Sequence, residues 1–142
     1  MSLNSGIDPV TLRAYLETEY QIHGANPFTL RVGAACPALA ELHKAHAVTN
    51  SAFVTAYNPF STLLNETDNA ARHTKLRKTL KHRGFVFFEG IGKHPANDWP
   101  GEPGFLVLGI SLEAASALGN QLEQNAIIWN NTDTVPQLIL LR

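Results

Sequence analysis

Between residues 51 and 130, apolar runs and helical patterns follow one another as strand, helix, strand, strand, helix, strand. This order constrains the fold more than any other feature of the chain. Ser51 to Tyr57, Phe85 to Ile91, Phe105 to Ile110 and Ala126 to Trp129 are apolar enough for strands. Asn65 or Thr67 caps the first intervening helix, whose inner stripe includes Asn69, His73, Leu76 and Leu80 and which ends at Gly84. Ser111 caps the second, with Ala115, Leu118 and Leu122 on one side. The order is that of a ferredoxin-like split βαβ unit.

Upstream, Asp8-Pro9 is an N-cap followed by proline at the first helical position, and Val10, Leu12, Tyr15, Leu16 and Tyr20 predict a helix over about residues 9 to 22. Phe28 to Val32 alternates as a strand and ends at Gly33, Pro37 opens a helix, and Gln137 to Leu141 supplies a last strand. The expected fold is therefore α/β in the α+β sense. It has a ferredoxin-like βαββαβ core with a mostly antiparallel sheet, an N-terminal helix-strand-helix and a C-terminal strand. With 142 residues, 44% of them hydrophobic, the chain fits one domain, 1–142 with its core over about 9–141, that buries roughly two-thirds of its unfolded surface.

The topology has a geometric consequence. If the strand at residue 51 runs upward, the next helix starts at the top, the Gly92 to Gly104 loop lies at the top, and the last helix ends there. Four polar clusters then share one edge: Asn58-Pro59-Phe60-Ser61, Asn69 with Arg72, Trp99 to Glu102, and Gln124-Asn125-Ala126. The candidate binding residues are Asn58, Ser61, Asn69, Arg72, Trp99, Glu102, Gln124 and Asn125, because such side chains gathered in one place call for a partner. Each also has a plainer reading. Asn58 before Pro59 is a turn formula, Asn69 can bond a neighbouring loop, Trp99 can cover the core, and Arg72 can pair with Glu102.

Six of the eleven Lys and Arg residues lie between Arg72 and Arg83, and Arg72, Lys75, Lys78 and Lys81 are candidate contacts to nucleic acid. Solvated cations late in a helix also simply complement its dipole. Glu89, His94, Asp98 and Glu102 match no metal-ligand spacing, His43 and His46 read as surface histidines, and Gly90-Ile91-Gly92 lacks the rest of a dinucleotide fingerprint. No metal or cofactor is expected. Cys36 has no partner and fits a small residue ahead of a helix in a reducing, cytoplasmic setting. No apolar stretch approaches the ~18 to 20 residues of a membrane span, and the N-terminus lacks the pattern of a signal peptide.

Tyr15, Thr18 and Tyr20, then Thr55-Ala56-Tyr57-Asn58-Pro59 with Ser61, Asn69, Arg72 and Leu76, then Gly90, Gly92, Pro95, Trp99 and Glu102, and last Gln124-Asn125-Ala126 form an ordered set. In this set the chain resembles the bacterial family catalogued as domain of unknown function 3293. The resemblance covers about residues 14 to 130 and implies a small stand-alone bacterial protein, with no catalytic residue to carry over. At Gly101-Glu102-Pro103-Gly104 the chain departs from it, lacking the small polar residue expected after the Glu. The leading functional reading is a small-ligand or nucleotide-binding domain, with Arg72 receiving an anion and Asn58, Asn69 and Asn125 reading polar groups. The alternatives are a nucleic-acid or protein interaction module built on the basic helix, and a phosphoester hydrolase with Glu102 as general base.

Overall fold

The computed structural model describes residues 6–142. Helix α1 (Pro9–Glu17) leads into strands β1 (Glu19–Ile22) and β2 (Phe28–Arg31), followed by α2 (Pro37–Ala45) and β3 (Ser51–Val54). A short 3-10 turn (Pro59–Ser61) precedes α3 (Glu66–His82), β4 (Phe87–Lys93), β5 (Glu102–Leu108), α4 (Leu112–Gln121), β6 (Ala126–Asn130) and β7 (Gln137–Leu140). The local signals act as the sequence predicts. The Asp8 carboxylate accepts from Val10 and Thr11 N–H, the Asn65 amide oxygen from Asp68 N–H, and Ser111 Oγ from Ala114 N–H. Gly84 leaves α3 with φ 78°.

Seven strands form a single sheet in the order β2-β1-β4-β5-β3-β6-β7, and every ladder is antiparallel. The mixed α/β domain with an antiparallel sheet is thus as expected, and the βαββαβ order of elements runs from β3 to β6. The first helix is shorter than its periodicity suggests. It stops at Glu17, Thr18 is extended at φ −66° and ψ 140°, and residues 19–22 form β1. Helical spacing from Leu16 to Tyr20 conceals this strand in the sequence. Pairing decides the matter, because β1 lies between β2 and β4 and its backbone gains a ladder on both sides. The N-terminal unit is accordingly helix, hairpin, helix.

Both faces of the central strands are buried, which is why they read as continuous apolar runs. Ala52, Val54, Phe105, Val107, Ile127 and Trp129 point to one face, where Leu76 and Leu80 of α3 and Ala115 and Leu118 of α4 pack on them. Phe53, Leu106, Leu108 and Ile128 point to the other, against Leu39 of α2 and Leu30. His43, on α2, belongs to this interior and not to the surface. Only 4% of it is exposed, its Nε2 lies 2.8 Å from Ser51 Oγ, and burial lowers its pKa. His46 is exposed as expected. Among the described residues, no helix is long and apolar enough to cross a membrane.

On β4 and β5, beside β1, the second face carries glycines in place of side chains. Gly90 and Gly104 face each other across the β4–β5 ladder, and a Cβ on either would meet the Phe53 ring within about 3 Å. Tyr20 packs against Gly92 in the same way and tilts against Phe53 with ring centroids 5.3 Å apart. The missing side chains let these rings settle low on the sheet. Helix α1 crosses above them without closing the gap, and its one buried residue is Leu12.

Candidate functional site

At the exit of β3 the chain turns sharply. Asn58 adopts a left-handed conformation (φ 47°, ψ 68°), and Phe60 and Ser61 follow with φ of 53° and 56°. Non-glycine residues resist this region, so something must hold them there. The Asn58 amide supplies part of the hold. Its Oδ1 accepts from Leu64 N–H at 3.0 Å and Asn69 Nδ2 at 2.8 Å, while Asn69 Oδ1 accepts from Asn58 N–H at 2.9 Å. Asn58 and Asn69 are both buried, and their mutual bonds meet the requirement that buried amides be paired.

The remaining Asn58 donor fixes a carboxylate. Asn58 Nδ2 donates to Glu102 Oε2 at 2.8 Å, and Trp99 Nε1 donates to the same oxygen at 3.0 Å. Burial raises the Glu102 pKa, and the two donated bonds work against the rise. Next to this group, Asn125 Nδ2 donates to Tyr15 OH at 3.0 Å and to Ser61 Oγ at 3.1 Å, the two hydroxyls bond each other, and Arg142 Nη1 donates to Asn125 Oδ1 at 3.0 Å. Gln124 Nε2 donates to Tyr57 O at 3.0 Å. Asn58, Ser61, Asn69, Trp99, Glu102, Gln124 and Asn125 therefore do converge at one end of the sheet.

Arg72 does not join them. Its Nε donates to Ala56 O and its Nη2 to Leu122 O, both at 2.7 Å, and Nη1 lies 3.5 Å from Glu123. The expected Arg72 to Glu102 ion pair is absent, because the guanidinium is turned toward the α3–α4 face and ties the end of β3 to the end of α4. Arg72→Ala should lower stability by about 1 to 3 kcal/mol, since it leaves Ala56 O without its donor and Leu122 O with only the 3.3 Å bond from Gln124 Nε2, and Arg72→Lys should rescue little, since one ammonium cannot span both. Urea denaturation of both variants checks this. Lys75, Lys78 and Lys81 remain exposed on α3, whereas Arg77 is paired with Glu89.

Between α1, the loop carrying Trp99 and the lowered face of the sheet lies a cavity of about 280 Å³. Val10, Thr11, Ala14 and Tyr15 of α1 form one wall, and Tyr20, Phe53, Thr55, Ile128 and Leu138 line the sheet side. His94, Asn97, Trp99 and Pro100 line it from the loop after β4. Ser61, Glu102 and Gln124 bring the polar cluster to its side. Burial pushes the Tyr20 phenol up, with the Glu102 charge adding to it, so Tyr20 stays neutral.

The model of a protein family of unknown function (DUF3293) matches residues 54–127, just over half of the chain. The chain belongs to this family. No curated protein and no solved structure matches it. The DUF3293 span holds Asn58, Asn69, Trp99, Glu102, Gln124 and Asn125, whereas the α1 and β1 walls lie ahead of it.

Sequence reasoning about this DUF3293 member did not place Tyr15, Tyr20 or Phe53 at the site, although Tyr15 and Tyr20 carry part of the resemblance. Nothing local marks them, because their role depends on α1 crossing the sheet. Glu102 also changes meaning once Arg72 is elsewhere. A carboxyl whose folded pKa is raised favours folding below its unfolded value, and that contribution is lost as pH rises from the ordinary carboxylate range to the raised value. Glu102→Gln keeps an oxygen for Asn58 and Trp99. It should therefore melt at or above wild type at pH 7, with the difference shrinking toward pH 4, as paired thermal melts would show.

Proposed function

We propose that this protein is a small-ligand-binding domain, and that the ligand sits in the cavity between α1 and the sheet. One observation carries the reading: an apolar recess floored by Phe53, Tyr20 and Ile128 opens beside a polar cluster held in place by its own hydrogen bonds. Binding sites commonly combine such a recess with a few fixed polar groups. The left-handed residues 58, 60 and 61 support the same reading, since strained backbone concentrates where side chains must be aimed. A free, buried Cys36 suits a reducing bacterial cytoplasm as the place of action.

The test is a thermal-shift screen over metabolite-sized compounds, run in parallel on wild type and on Ala14→Phe, whose ring would occupy the recess. A ligand at about 100 times its Kd stabilises the native state by about 2.7 kcal/mol. The expected result is a compound that raises the wild-type Tm and leaves Ala14→Phe unmoved. Equal shifts in both proteins would place binding elsewhere and overturn the proposal.

A further inference from the structure

We infer that the ligand of this cavity is a flat organic cation of the amidine class, whose N–H groups donate to Glu102 Oε1. The inference rests on the small-ligand reading and adds the chemistry of the ligand. Both side-chain hydrogen bonds that Glu102 receives go to Oε2, and among the described residues none reaches Oε1. Among the described residues the only buried side-chain polar atoms without a partner are His73 Nδ1 and Asn130 Oδ1, so Oε1 is not sealed, and Glu102 is one of the residues that line the cavity. A carboxylate oxygen accepts only, and its best partner is a charged N–H donor.

The rest of the wall points the same way. No Lys or Arg lines the cavity. Thr11, Thr18, Thr55, Tyr20 and Trp99 all donate inside the protein, to Asp8, Ala14 O, Pro103 O, Tyr15 O and Glu102. His94 Nδ1 accepts from Ala96 and Asn97 N–H, and its Nε2 faces Glu17. The donors left over are the exposed Asn97 amide and one proton of the Tyr15–Ser61 pair, both uncharged. An anion would therefore enter a recess in which, among the described residues, no Lys or Arg receives it and a carboxylate stands on the wall. The apolar floor of Phe53 and Ile128 and the rings of Tyr20 and Trp99 suit a flat body.

Three probes of one shape separate the alternatives: benzamidine, a cation; benzamide, neutral; and benzoate, an anion. They are tested by ligand-observed NMR at up to about 5 mM, the weak range expected of ligands this small. Wild type should bind benzamidine about tenfold more tightly than benzamide and should not bind benzoate, and Glu102→Gln should remove the preference for the cation. Benzoate binding as tightly as benzamidine, or a cation preference unchanged in Glu102→Gln, would overturn the inference. If that benzoate binding disappears in Ala14→Phe, the small-ligand reading survives without the cation. Failure of all three probes overturns the inference as well, while the broader screen decides separately whether the cavity binds anything.

Discussion

Asn58→Ala should cost about 3 to 5 kcal/mol of stability, lowering Tm by roughly 10 to 15 °C in a chain of this size. The size of the effect follows from how many groups depend on one amide. Removing it leaves Leu64 N–H, Asn69 and the Glu102 carboxylate without partners they have in the fold. It also leaves alanine at φ 47°, a conformation that costs an ordinary residue about 1 kcal/mol or more. Asn58→Gly separates the two contributions, since glycine accepts the backbone but restores no hydrogen bond, and it should recover only the backbone share. Asn58→Asp keeps the acceptor toward Leu64 and replaces the Nδ2 donor with an oxygen facing Glu102. Its stability should therefore fall further as pH rises through the carboxylate range. Chemical denaturation of the three variants checks the series. An Asn58→Ala protein that melts with wild type would mean the cluster is not what holds this turn.

Gly104→Ala should destabilise by about 3 kcal/mol or more, although it adds one methyl group. The new Cβ would lie 2.5 Å from Val54 O and 2.8 Å from the Phe53 ring. The oxygen belongs to β3, which is paired on both sides, so it cannot retreat without disturbing two ladders. Gly101→Ala is the informative contrast. Its Cβ would also be too close to a neighbour, at 2.7 Å, but that neighbour is the flexible tip of Ile91 and can turn away at a cost below about 1 kcal/mol. Similar penalties for the two substitutions would show that the sheet yields at Gly104. The Phe53 ring would then have room to rise, and the cavity floor would not depend on glycine.

These two sites also show what could be read from the sequence. The convergence of Asn58, Glu102 and Asn125 was legible because the order of strands and helices alone places their three loops at one end. Arg72 was misread for a reason the sequence could not supply. It stands three residues after Asn69 on α3, and only the placement of α4 beside that helix brings Leu122 O and Ala56 O within its reach. His43 was misread similarly, since its burial against Ser51 depends on how α2 lies over β3. The β1 strand was hidden by helical spacing that continues past the end of α1. The cavity was not legible at all, being a gap between elements far apart in the chain.

The two tryptophans of the chain occupy opposite environments. Trp129 is 8% exposed and donates to Ile110 O in the interior, whereas Trp99 is 38% exposed at the mouth of the cavity and is bonded to Glu102. The molecule thus carries two separable fluorophores, one answering to the state of the fold and one to events at the site. Iodide in the solvent should quench Trp99 and spare Trp129. The quenchable fraction of the emission therefore follows occupancy of the cavity, and the protected fraction follows unfolding, with no label attached to the protein.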